Sequence, residues 1–199
     1  MRFKNLVCAS TTGLLLPGGA SGAEYFGPGR QIPNLNEAHS EIVVPDHFLI
    51  TDVNVTVNSL FATWVGDLQF RLVRSATSAT LLNRIGVPPG AGDSSDFNGD
   101  YTFDSDGTNN IWTAAAGVAA AGVVPPGTYM TSGPASGGVN NFSLDMFDGQ
   151  DAAGTWTLIG SNHAGSDFSN FGGWTLTIVP EPSRSWLLVI GLVFVIQRR

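Results

Sequence analysis

Apolar side chains in this chain recur at every second position, and that period sets what it folds into. Val53, Val55 and Val57 alternate with Asn54, Thr56 and Asn58, and Leu68, Phe70 and Leu72 alternate with Gln69 and Arg71. Strict alternation puts one set on a buried face and the other in solvent, as in a half-buried β-strand. Two later segments, Gly154-Thr155-Trp156-Thr157-Leu158-Ile159 and Gly173-Trp174-Thr175-Leu176-Thr177-Ile178, each place Trp and Leu two apart, so both belong to one face. Trp156 and Trp174 are therefore expected to anchor the core. Further short strands are predicted at Thr80-Leu81-Leu82 and from Thr128 to Thr131. Residues 90–110 are rich in Asp, Ser, Gly and Asn and read as a polar loop outside the core, and residues 24–31 as a loose lead-in. Residues 114–124 carry alanines, but Gly117, Gly122 and the Pro125-Pro126 stop leave room for one short turn at most. Short strands without a helical period predict an all-β, antiparallel β-sandwich of jelly-roll type spanning 32–179.

Both ends read as processing signals. Arg2 and Lys4 precede an apolar stretch over 6–16, Pro17-Gly18-Gly19 breaks it, and Ser21-Gly22-Ala23 supplies small residues for cleavage after Ala23. That order describes a secretory signal peptide over 1–23, a cleaved helix. At the other end Pro180-Glu181-Pro182 leads to an apolar stretch over 186–196 and then Gln197-Arg198-Arg199. A helix of 11 residues is about 16 Å long, short of the roughly 30 Å hydrocarbon core, so the tail is an address more than an anchor. The basic end would stay cytoplasmic and leave the main domain outside.

Processing sharpens the charge. Cys8, the only cysteine, leaves with the signal segment, which removes disulfides, thiol catalysis and Cys-based zinc sites. Residues 24–180 hold four arginines against 15 carboxylates, a net charge of −11. Such a surface repels nucleic acid, and metal cations are its natural charged partners.

No catalytic residue is assigned. His39, His47 and His163 have no Gly-x-Ser-x-Gly serine to serve, and no His-Glu-x-x-His pair is present to hold catalytic zinc. The best remaining chemistry is the acidic run Asp93, Asp96, Asp100, Asp104 and Asp106 with Asn98, Asn109 and Asn110. Calcium takes six to eight oxygens from such side chains, although the spacing is not that of an EF-hand.

The C-terminal segment resembles the PEP-CTERM sorting signal of Gram-negative, biofilm-forming bacteria. The resemblance implies that Pro180, Glu181 and Pro182 are read by exosortase, a membrane-embedded processing protease. It also implies export, a transient tether to the inner membrane, and then release or display at the cell surface.

A second resemblance covers nearly all of 32–179. Thr51-Asp52-Val53-Asn54-Val55, Ala62-Thr63-Trp64-Val65-Gly66-Asp67-Leu68, Leu81-Leu82-Asn83-Arg84-Ile85-Gly86, Phe103-Asp104-Ser105-Asp106 and the run from Phe147 to Leu158 stand in this order. Together they resemble the P domain (P/Homo B domain) of subtilisin-like proprotein convertases and bacterial secreted proteases. Ala62, where the family has His, and Arg74-Ser75-Ala76 are departures expected to fall in surface turns. The resemblance implies a jelly-roll sandwich and points to Asp67, Asp104 and Asp106 as calcium ligands. No protease domain accompanies it in this sequence. The expected function is a non-catalytic binding or structural module of the extracellular layer, with extracellular polysaccharide as a partner class. An accessory subunit of a separately encoded secreted protease is the alternative.

Overall fold

The computed structural model describes residues 22–87, 90–133 and 144–182. Among the described residues nine strands form two sheets. One is ordered β1 (Ala23–Ile32), β9 (Ser169–Pro180), β3 (Ile50–Ala62), β6 (Phe97–Asp104) and β7 (Gly127–Tyr129). The other is ordered β2 (Asn36–Val44), β8 (Gly154–Asn162), β4 (Leu68–Arg74) and β5 (Thr77–Asn83). The expected all-β sandwich is what the chain forms.

The alternation read from the sequence is the burial pattern observed. Val53, Val55, Val57, Leu68, Phe70 and Leu72 are all within 1% of complete burial, while Asn54, Thr56 and Asn58 face outward. Trp156 and Trp174, one from each sheet, are fully buried. Each indole also finds an acceptor, Trp156 Nε1 donating to the Ala152 carbonyl at 2.9 Å and Trp174 Nε1 to Ser40 Oγ at 2.9 Å. Burying a large apolar side chain is worth roughly 1.5–3 kcal/mol, and the Trp174–Ser40 bond also joins one sheet to the other.

Four expectations are corrected. Residues 24–31 are not a loose lead-in: they form β1, an edge strand paired antiparallel with β9 from Ala23↔Ile178 to Ile32↔Ser169. Pro28 interrupts the apolar pattern, but an edge strand tolerates proline because one side needs no partner. The segment 90–110 is not all outside the core, since β6 lies within it and buries Phe97, Tyr101 and Phe103 completely. The sandwich is not antiparallel throughout: β7 pairs parallel to β6. A parallel neighbour requires a crossover, and this one carries the six-residue helix α1 (Ile111–Ala116), capped by the Asn110 side chain. Finally, Ala62 is 1% exposed at the inner end of β3 rather than in a surface turn, whereas Ser75 does sit in the β4–β5 turn with φ 51°.

Among the described residues no helix is long and apolar enough to cross a membrane. The signal segment up to residue 21 and the apolar tail over 186–196 lie outside the described residues.

Candidate metal centre

Asp52 and Asn54 sit two apart on the outward face of β3, and the ladder sets Asn54 directly opposite Asp104, the last residue of β6. The chain then turns sharply. Asp106 N donates to Asp104 Oδ1 at 2.7 Å and Gly107 N to the Asp104 carbonyl at 3.1 Å, which folds Asp106 back beside Asp104. One carboxylate oxygen from each of Asp52, Asp104 and Asp106 lies within 4.8 Å of the others. The single turn of 3-10 helix over Leu144–Phe147 packs alongside, held by Leu144 N donating to Ser105 Oγ at 2.8 Å and Gly149 N to the Ile50 carbonyl at 2.8 Å. It brings Asp145 and Asp148 to the edge of the group.

The electrostatics are those of like charges held together. Burial, then Asp104 and Asp106, push the Asp52 carboxyl above its ordinary value. Burial, then Asp145, Asp52 and Asp106, do the same to Asp148. None of the ion pairs found among the described residues involves Asp52, Asp104 or Asp106. Asn54 Nδ2 donates to Asp52 Oδ2 at 2.9 Å, which leaves Asn54 Oδ1 buried without a hydrogen-bond partner. Three carboxylates, with no nitrogen or sulfur ligand among them, suit a hard oxygen-seeking cation such as calcium.

Of the aspartates named from the sequence, Asp104 and Asp106 come together and Asp67 does not join them. Asp67 follows the far end of β3, buried beside Arg84 (Nη2 to Oδ1, 3.9 Å). Its carboxyl is pushed up by burial, then by a hydrogen bond with Asp167. The third member of the trio is Asp52 instead. The other residues of the acidic run serve local structure. Asp93 Oδ1 accepts from Ser95, Asp100 Oδ1 accepts from Ser59 N at 2.7 Å, Asn109 bonds the Thr128 carbonyl, and Asn110 caps α1. His39 and His47 pair with Glu37 (3.3 Å) and Asp151 (2.8 Å) at the surface, and burial, then Arg84, holds the His163 imidazole below its usual pKa. Pro180 ends β9 opposite Ile50, with Glu181 and Pro182 exposed beyond it, so the Pro-Glu-Pro segment leaves the fold close to Asp52.

These shifts set a pH dependence. Asp52, Asp67 and Asp148 hold their protons more tightly folded than unfolded, so the cost of ionising them is present at neutral pH and fades as pH falls through their raised values. Asp151, lowered mainly by its hydrogen bond with His47, acts oppositely and loses its stabilisation only at lower pH. His163, held low, costs stability over the same first acid step, so the test uses a chain without that imidazole: metal-free His163→Gln is expected to melt higher after mild acidification than at neutrality, then lower as acid is added further. Scanning calorimetry in a chelating buffer checks this, and a melting temperature that falls from the first acid step would contradict it.

The fold and this acidic group define an all-β sandwich with a candidate cation site. No protein-family model matches the chain, and no curated protein matches it. Among solved structures it is similar to the serine protease of Aeromonas sobria at 15% identity and a TM-score of 0.42, covering 85% of this chain and 28% of that one. It is also similar to the complex of that protease with its chaperone, ORF2, at 13% identity and a TM-score of 0.40, covering 81% and 28%. The chain thus spans under a third of the length of these proteins.

Proposed function

We propose that this chain is an exported, surface-sorted, non-catalytic β-sandwich module that binds calcium through Asp52, Asp104 and Asp106. In this reading residues 1–23 are a signal peptide, and 32–179, P-domain-like in sequence, lie in the working domain. An exosortase-type protease reads Pro180, Glu181 and Pro182. The observation that carries it is the exit of the Pro-Glu-Pro segment. The last ladder pair of β9 is Ile50↔Pro180, and Glu181 N still bonds the Leu49 carbonyl at 2.8 Å. The segment is thus presented at a fixed point, exposed, immediately outside a finished fold.

The bound cation would neutralise like charges that otherwise repel at that exit, joining the fold's stability to an extracellular calcium supply. Asp104, fixed by the β6 ladder, and Asp106, folded back by the turn, would hold it from one side and Asp52 from the other. Removing residues 183–199 tests the sorting step while leaving every described strand intact. The shortened chain is expected to leave the surface fraction for the periplasm or medium. An unchanged distribution, or a full-length chain found in the cytoplasm, would overturn the proposal.

A further inference from the structure

The end of the β1–β9–β3 face away from the acidic group carries a shallow cleft of about 530 Å³. Its floor is bare backbone. Val57 and Leu60 on β3 both point inward although three residues apart, and so do Trp174 and Phe171 on β9. The residues between them, Asn58-Ser59 and Gly172-Gly173, absorb the change of face, Ser59 by adopting φ 49° with its N–H held by Asp100. A Cβ on Gly29 would lie 2.4 Å from the Gly172 carbonyl oxygen, so no side chain fits over that part of the floor. A non-glycine residue held at positive φ beside a bulge is a cost that folds concentrate at binding sites.

The walls are chemically specific. Asn170 pairs across the sheet with Gln31 on one side and Phe61 on the other, setting two amides and an aromatic ring in one outward row. Phe168 is 49% exposed and leans on Phe61, itself 38% exposed, with ring centroids 6.1 Å apart. Arg30 closes the edge, its guanidinium held by the carbonyls of His39 (3.2 Å) and Gly29 (3.4 Å). None of the lining residues is a carboxylate, although carboxylates outnumber arginines 15 to four over residues 24–180, and Asp100, which reaches the floor at Ser59, commits Oδ1 to the Ser59 N–H at 2.7 Å. Asp167, next to Phe168, is engaged with Thr63 and Asp67 instead.

The geometry points to a binding site for an acidic saccharide, resting on the binding-module reading above. The apolar face of a pyranose ring stacks on Phe168, the amides of Gln31 and Asn170 meet adjacent hydroxyls as donors and acceptors, and Arg30 pairs a uronate carboxylate.

Titration calorimetry of the purified full chain tests this, with alginate oligomers as the uronate probe and cello-oligosaccharides as the neutral one. Alginate is expected to bind more tightly than the neutral probe. Phe168→Ala should weaken it by roughly tenfold, the loss of one stacked ring, and Arg30→Gln should erase the preference for the uronate. Phe26→Ala, a comparably exposed ring (73%) elsewhere on the sheet, should bind as the parent does. The inference is overturned if neither probe binds, if both bind equally, or if the Phe168 and Arg30 variants behave like Phe26→Ala. A chain that reaches the surface yet binds neither saccharide overturns this inference alone and leaves the sorting proposal standing.

Discussion

Calcium at 10 mM is expected to raise the melting temperature of the full chain by roughly 3–10 °C, and Asp52→Asn to abolish the rise. At one hundred times the dissociation constant a single site stabilises the fold by about 2.7 kcal/mol, and a domain of this size gains roughly 2–4 °C per kcal/mol. Extracellular sites bind calcium at around 0.1–1 mM, so the range up to 10 mM is the one to scan. Without metal the sign reverses. The Asp52 carboxyl is pushed up by burial and by Asp104 and Asp106, so replacing it with a neutral isostere relieves repulsion while an amide oxygen still accepts from Asn54. Metal-free Asp52→Asn should therefore melt at or above the metal-free parent and fail to respond to calcium. Asp67→Asn should keep the response, because Asp67 sits with Arg84 and Asp167 at the other end of β3. A parent protein indifferent to calcium would dispose of the site, and loss of the response in Asp67→Asn alone would relocate it.

Asp52 was present in the sequence motifs but carried no mark of its role. Its neighbours in the trio lie about fifty residues away, and only the Asn54↔Asp104 register brings β3 and β6 into line. Register depends on how every pair in the ladder fits, which no local spacing reports. Asp104 and Asp106 were named through the P-domain resemblance, and a turn within one short segment is what brings them side by side. The same contrast runs through the fold. β3, β4, β8 and β9 announce themselves because their polar and apolar residues alternate. β6 was hidden by its average: Asn98, Asp100, Thr102 and Asp104 make the segment look soluble, yet the alternate positions Phe97, Tyr101 and Phe103 are wholly buried. β1 was hidden because Gly27-Pro28-Gly29 reads as a turn, and only pairing with β9 makes it a strand.

Gly27→Ala should be among the most damaging single methyl groups that can be added to this protein, at about 3–5 kcal/mol. Gly27 lies opposite Trp174, and a Cβ there would sit 2.0 Å from the indole nitrogen and 2.6 Å from two ring carbons. The indole cannot yield cheaply. Trp174 is completely buried, its Nε1 donates to Ser40 Oγ, and Ser40 Oγ donates in turn to the Pro28 carbonyl at 2.6 Å. These two bonds tie β9 to β2 and β2 to β1, so moving the ring breaks the first and leaves the second without its support. Overpacking costs roughly 1–3 kcal/mol and a stranded buried donor about 1–3 kcal/mol more, a large share of the 5–15 kcal/mol that holds a typical domain. Phe26→Ala, one residue away and solvent-facing, should change stability by no more than about 0.5 kcal/mol. Urea unfolding of both variants compares them directly, and a double-mutant cycle with Trp174→Phe isolates the contact, since removing the indole nitrogen should make Gly27→Ala less costly. A Gly27→Ala protein as stable as its parent would mean that residues 24–31 do not dock on β9, and the sandwich would lose the strand that closes its edge.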